Sequence, residues 1–181
     1  DNPQKLLELG IEATRSAQRI PLNSAVEVDQ GQHDGRADVL AVGTAGMFAR
    51  ADIWTELGGF DPVLGPFGDG LEYGRRVRRA GYRVVVAPKA VVRHRQQSFA
   101  PNGEPARSFP KRRFAQLYNW ALALSAPACV ALFVALLLWT PLRSLGRLFT
   151  RRTRLAAAEF TAYFAFLAAT PALVRARRRL R

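Results

Sequence analysis

The chain of 181 residues carries 27 Lys and Arg against 14 Asp and Glu, one Cys, and 49% hydrophobic residues. That length suits one domain of ordinary size with an appendage, and the apolar half excludes a wholly disordered chain. A single Cys excludes a disulfide scaffold and a multi-thiolate metal site. The net charge of +13 suggests nucleic acid until it is divided along the chain. Residues 1–100 hold 13 basic and 12 acidic side chains, whereas residues 101–181 hold 14 and 2. The first part is balanced like a soluble domain. In the second, basic residues flank apolar runs instead of interleaving with polar ones. That pattern points to a membrane surface and away from nucleic acid. The only Met is Met47 and no basic, apolar leader is visible. The chain is therefore expected to be a fragment that starts inside a domain.

Residues 4–19 (QKLLELGIEATRSAQR) read as a helix, with an apolar side from Leu6, Leu7, Leu9 and Ile11. Residues 20–38 are polar and irregular; Asp29, His33, Asp34 and Asp38 there lack the regular spacing of a metal cluster. Residues 39–48 (VLAVGTAGMF) predict one strand or two short ones, with close backbone approach at Gly43 and Gly46. Residues 51–57 predict a short helix with Asp52 as cap and Gly58-Gly59 as its stop. Phe60-Asp61-Pro62 reads as a turn. Residues 71–80 predict an Arg-rich helix closed by Gly81. A strand at 82–87 and an extended piece at 90–94 follow, divided by Pro88. Helices alternating with buried apolar strands predict an α/β layered fold.

Residues 98–113 contain prolines and charges and read as a basic linker. No charge occurs from Phe114 to Leu142, and 18 of the 22 residues from 119 to 140 are apolar. A membrane-crossing helix needs roughly 20. Trp120 and Trp139 lie near its ends, where interfacial indoles belong, and Pro127 is a tolerable kink. A buried helix of this length in a soluble protein carries a polar face, and this one does not. A transmembrane helix over 114–142 is therefore expected. Lys111, Arg112 and Arg113 precede it, and Arg143, Arg147, Arg151, Arg152 and Arg154 follow, so charge gives no orientation. The basic region 143–181 holds a second apolar stretch, Leu155 to Val174, interrupted by Glu159 and Pro171. It reads as a span, or as an interfacial helix burying Phe160, Tyr163, Phe164 and Phe166. Arg175, Arg177, Arg178, Arg179 and Arg181 close the chain and are expected to meet anionic membrane lipid.

Four pieces occur in a telling order: GTAGMFAR at 43–50, LGGFDP at 57–62, GDGLEYGRRVRRAGYRVVVAP at 68–88, and VVRH at 91–94. Together they resemble the C-terminal half of a family 2 glycosyltransferase domain, the inverting type with a GT-A fold. The Asp-x-x-Glu-Tyr-Gly-x-Arg form from Asp69 to Arg76 is also similar to the galactofuranosyltransferase branch, and the chain is similar in style to actinobacterial members. The resemblance implies a partial, Rossmann-like GT-A domain over 1–97, followed by the linker and the α-helical membrane segments. It implies a nucleotide-sugar donor, and an acceptor that is a cell-envelope glycan or lipid-linked. It implies a cell-membrane location with the catalytic domain on the cytoplasmic side. A divalent cation, Mg²⁺ or Mn²⁺, would neutralise the leaving diphosphate. Most of its ligands are expected in a missing N-terminal half, with His94 as the ligand here. By the same resemblance Gly43, Thr44, Ala45, Gly46 and Arg76 line the substrate.

The acceptor hydroxyl must lose its proton as it attacks, so a carboxylate must stand beside it. The resemblance puts that base in Asp69-Gly70-Leu71-Glu72. The family usually carries two adjacent acids, the second being the base, and here the second position is Gly70. Asp69 is the first candidate and Glu72 the second. Both are also acids that a helix start favours through its dipole alone. Gly70 keeps a different class open, a catalytically degenerate module that binds glycan or lipid carrier as a scaffold. Arg75, Arg78 and Arg79 read as a solvated face. Trp54 and Phe60 read as core, Tyr73 as a ring able to stack on sugar, and His33 as a loop residue.

Overall fold

The computed structural model describes residues 5–24, 26–35, 38–94 and 105–180. It divides into two compact units, Asp1–Gln96 and Gln97–Arg181.

In the first unit, β1 (Ile11–Ala13) pairs antiparallel with β2 (Arg19–Pro21). The helix expected over 4–19 is thus replaced by a hairpin, and the cause is non-local. The Ile11 amide donates to Ala41 O at 2.8 Å, and the Ala41 amide returns the bond to Ile11 O at 3.2 Å. The Ile11 side chain packs in a small core with Ala41 and Leu71. Gly10 lies so close to Val39 that a Cβ there would stand 2.8 Å from its Cγ1. Pairing of this kind suits β-branched Ile11 and Ile20 and outweighs the weak helix preference of the leucines beside them.

The segment 38–41 lies between β1 and residues 84–85. On its far side the Val39 amide donates to Val84 O at 3.0 Å, and an isolated antiparallel bridge joins Asp38 to Val85. The strands expected at 39–48 and 82–87 are therefore present as isolated bridges, not as a layered parallel sheet. The described fold is mostly helical with little sheet. Pairing is confined to single positions because each segment is cut short. The first leaves at Gly43 for a 3-10 turn, Thr44–Gly46. The second runs only from the Gly81 cap to a turn at 88–89. Residues 90–94 form no regular element.

Two helices complete this unit, α1 (Ala51–Leu57) and α2 (Asp69–Arg79). Gly58 at φ +74° and Gly59 at φ +65° end α1, a conformation glycine adopts without strain. Asp52 makes no side-chain cap; it pairs with Arg50 at 2.6 Å. The end of α2 is a Schellman turn, with Gly81 N to Arg78 O at 3.1 Å and Tyr82 N to Val77 O at 3.1 Å. α2 lies directly on the extended segment. A Cβ on Gly74 would meet Ala41 Cβ at 2.7 Å and Leu40 O at 2.8 Å, and one on Gly70 would run into the Val42 carbonyl oxygen.

The second unit is helical: α3 (Pro105–Ala123), α4 (Ala126–Phe149), α5 (Thr153–Ala168) and α6 (Thr170–Arg179). Residues 98–104 of the expected linker lie outside the described residues; its remainder is the start of α3. The single span expected over 114–142 is broken at Leu124–Ser125. Proline cannot donate to, and clashes with, the carbonyl four residues back, so Pro127 ends one helix and sits in the first turn of the next. Pro171 does the same between α5 and α6, which bend by 57°. Among the described residues α4 alone is long and apolar enough to cross a membrane; a second crossing exists there only if α5 and α6 count together. Its 24 residues measure about 36 Å at 1.5 Å per residue, against roughly 30 Å of hydrocarbon. One face of α4 is buried through Cys129, Leu132, Leu136, Thr140 and Ser144. Phe133 stacks on Phe166 at 4.7 Å, and Ser144 Oγ donates to Ala156 O at 2.6 Å, joining α4 to α5. Val130, Val134, Leu138 and Phe149 stand exposed around the rest of the helix.

The glycine contact gives the first prediction. In a free helix Gly→Ala is stabilising by roughly 0.5–1 kcal/mol. At Gly74 the added methyl meets Ala41 and the Leu40 backbone, so overpacking of about 1–3 kcal/mol should prevail. Hydrogen exchange of the α2 amides in Gly74→Ala should speed up roughly 5- to 150-fold. Gly146→Ala, where a Cβ meets nothing within 4 Å, should not speed exchange in α4.

Candidate active site

The start of α2 gathers the acids that sequence singled out, and the structure gives them different surroundings. Asp69 is half-buried at the first turn, and its Oδ1 accepts the Gly70 amide at 2.7 Å. Burial pushes its carboxyl above the ordinary aspartate value, while the Gly70 amide and the Arg19 charge pull the other way. Glu72 is 4% exposed, and both its oxygens take Arg76, Nε on Oε1 at 2.6 Å and Nη2 on Oε2 at 2.7 Å. Arg76 also donates to Leu57 O at 2.6 Å and to Gly59 O at 2.5 Å, the end of α1. Glu72 and Arg76 thus form one buried clamp between α2 and the Gly58-Gly59 turn. Their first role is to hold that turn.

Aromatic rings pack beside the clamp. Trp54 meets Phe60 edge-on at 4.7 Å and Tyr73 at 5.1 Å, Phe60 meets Tyr73 at 5.6 Å, and the Arg76 guanidinium lies 5.2 Å from the Tyr73 ring centre. Tyr73 is 3% exposed. It belongs to this core and has no open face for a sugar.

The turn Thr44–Gly46 stands next to the start of α2. Thr44 Cγ2 lies 3.6 Å from where a Cβ on Gly70 would be. The Gly43 amide donates to the Glu8 carboxylate, which also pairs with Arg19 at 3.0 Å. Glu8 and Arg19 were not visible as site residues in the sequence, because a hairpin absent from the local pattern delivers them. Ala45 and Gly46 are exposed, and Phe48 beyond them is 98% exposed. The structure therefore brings Asp69, Gly43 and Thr44 into one neighbourhood.

His94 does not join any cation cage. It is exposed, and among the described residues no group of three His, Cys, Asp or Glu side chains is placed to hold a metal ion. The described residues alone do not make a divalent-cation site. His33 pairs with Glu27 at 2.5 Å, Asp38 with Arg83 at 2.8 Å, and Asp29 accepts the Gly31 amide at 3.1 Å. Three of the four irregularly spaced loop residues thus have structural partners. The Glu27 carboxyl, held by Gln32, the Ser24 amide and His33, falls to about 2.

Asp69, at the start of α2, thus lies where that helix packs flush on the extended segment 40–42, beside the 43–46 turn. The family described as "Glycosyltransferase like family 2" matches residues 17–119. The chain belongs to that family. No curated protein and no solved structure matches it. Membership supports a function in glycosyl transfer and implies a nucleotide-sugar donor and an acceptor.

The clamp supplies the second prediction. Removing one partner of a buried ion pair strands the other and costs roughly 3–5 kcal/mol. Arg76→Ala should therefore lower the melting temperature of the full chain markedly. Asp69→Asn should not. Folding raises the Asp69 pKa, so the native state binds that proton more tightly and disfavours the ionised form. The neutral amide removes that disadvantage above the folded pKa.

Proposed function

We propose that the chain is part of a membrane-anchored, inverting glycosyltransferase of GT-A type that moves a sugar from a nucleotide donor to a cell-envelope glycan or lipid-linked acceptor. Asp69 is the general base of this reading. What carries it is the contrast at the start of α2: Glu72 is locked onto Arg76, while Asp69 stands half-buried beside the 43–46 turn. The Asp69 carboxylate would take the proton of the acceptor hydroxyl. The freed oxygen forms the new bond to the anomeric carbon as the bond to the diphosphate breaks, which inverts that carbon in one displacement. The turn of Thr44, Ala45 and Gly46, exposed at its last two residues and with Gly43 at its base, would line the acceptor or donor side. Arg76 serves by holding α2 to α1. The cation expected with the diphosphate would find one candidate ligand here, His94.

Gly70 does not favour the scaffold alternative. Its missing side chain is accounted for by the contact with Val42, since no side chain fits between α2 and that carbonyl.

A general base contributes typically 10²–10⁴-fold. Asp69→Asn in the complete enzyme should lower kcat by roughly that factor with donor binding kept. Because burial raises the Asp69 pKa, the acid limb of the wild-type pH–rate profile should lie above pH 3.8, the ordinary value. The base works ionised, so rate is lost as pH falls through that limb, and the limb should vanish in the variant. Full activity of Asp69→Asn would overturn the assignment. Absence of turnover with a bound donor would favour the scaffold.

Membrane anchoring rests on α4 and the exposed apolar side chains around it. The full chain should remain with the membrane fraction through a carbonate wash. Its release would overturn the anchor.

A further inference from the structure

The helical unit holds a buried ion cluster that sugar transfer does not use. Glu159 of α5 is 2% exposed. Its Oε1 accepts Arg143 Nε at 3.2 Å and Arg147 Nη2 at 2.7 Å, and Arg113 Nε stands 3.5 Å from Oε2. Three guanidinium charges meet one carboxylate, a formal excess of two at one place. Such an excess is costly away from water unless an anion offsets it. The donors are also not used up. Arg113 is 10% exposed, and its buried Nε has no hydrogen-bond partner. Arg143 donates through Nε alone and keeps 37% of its side chain exposed, so the cluster can be reached from outside. The cluster is built and not a row of mobile side chains. Gln116 Oε1 accepts Arg113 Nη1 at 2.8 Å, and the Arg147 guanidinium lies 4.6 Å from the centre of the Phe109 ring.

We propose that Arg113, Arg143 and Arg147 form a binding site for one phosphate group carried by a membrane lipid. Guanidinium forks match phosphate oxygens in pairs, and a phosphate brings the one to two negative charges that the cluster lacks. A free phosphate presents the same oxygens. The lipid source is favoured because Trp139, Leu142 and Leu145, on α4 around Arg143, are exposed apolar side chains suited to an acyl chain. This source rests on the helical unit meeting lipid; the phosphate chemistry does not.

The test uses the full chain in neutral detergent, titrated calorimetrically with short-chain phosphatidic acid, with a fatty acid of equal chain length, and with inorganic phosphate. Phosphatidic acid should bind at one saturable site, tighter than either comparison. Losing one charged donor should weaken it roughly ten-fold or more in Arg143→Gln, a partly exposed position where folding is kept. Arg175→Gln, an equal loss of charge on exposed α6, should stay within about two-fold. Glu159→Gln, if folded by circular dichroism, should bind more tightly because a competing carboxylate is gone. Equal losses in Arg143→Gln and Arg175→Gln would mean diffuse attraction and overturn the site. So would a fatty acid that binds as well as phosphatidic acid. Inorganic phosphate binding as tightly, and still sensitive to Arg143→Gln, would keep the phosphate site and overturn the lipid source. Carbonate release of the full chain reports on the anchor separately.

Discussion

The first unit depends on how closely α2 can approach the extended segment 40–42. Gly70 and Gly74 are one turn apart on α2, and both face backbone, Gly70 at Val42 and Gly74 at Leu40 and Ala41. A side chain at either place would lift the helix away. With the helix down, Leu71 reaches Ile11 and Ala41 in a core cluster of this unit, and Arg78 donates to Val39 O at 3.0 Å. The same approach sets Asp69 beside Thr44. Gly70, where the resemblance led to the expectation of a second acid, is thus occupied by a packing contact with the Val42 carbonyl.

The close approach fixes one side of α2, and Glu72 with Arg76 fixes the other. A guanidinium that reaches a carboxylate on its own helix and two carbonyls at the end of α1 leaves little freedom to the Gly58-Gly59 turn. The Leu57 carbonyl it satisfies belongs to a helix end that lacks intrahelical partners, and the Gly59 carbonyl to the turn just beyond it. Arg76, which the resemblance placed at the substrate, has its partners within the protein at Glu72, Leu57 and Gly59. Of the two acids one turn apart on α2, Glu72 holds Arg76, while Asp69 accepts the Gly70 amide and takes no part in that clamp.

What was legible in the sequence was local. The glycines that end α1 and α2, the short helix at 51–57 and the apolar character of α4 are written in single residues or short runs. What was not legible depended on partners far along the chain. Leu6, Leu7, Leu9 and Ile11 fit a helix until Ile11 meets Ala41. Glu8 and Arg19 come to the Gly43 turn only through the hairpin that this meeting creates. Strands at 39–48 and 82–87 have the right composition, but composition does not say how many residues will pair before a turn intervenes. In the candidate site the motif located Asp69, Glu72 and Arg76 together. Their separate roles required knowing which carboxylate oxygen was already taken.

The helical unit shows the same limit with the opposite outcome. An uncharged run of nearly thirty residues, from Phe114 to Leu142, looks continuous by hydropathy alone. Pro127 decides otherwise, because a missing amide and a blocked carbonyl act at one position and cannot be averaged away. The carbonyls left over at the end of α3 are then met by Arg177, which donates to Leu124 O at 2.8 Å and to Ala121 O. Glu159 read as an interruption of an apolar stretch. It is instead the point where α3, α4 and α5 are drawn together, since the carboxylate is the only acid described in this unit and its arginines come from the two helices on either side. A buried charge in such a setting persists only if it is paired, so the position of the acid also fixes where the arginines must be, and with them the place where the surplus positive charge gathers.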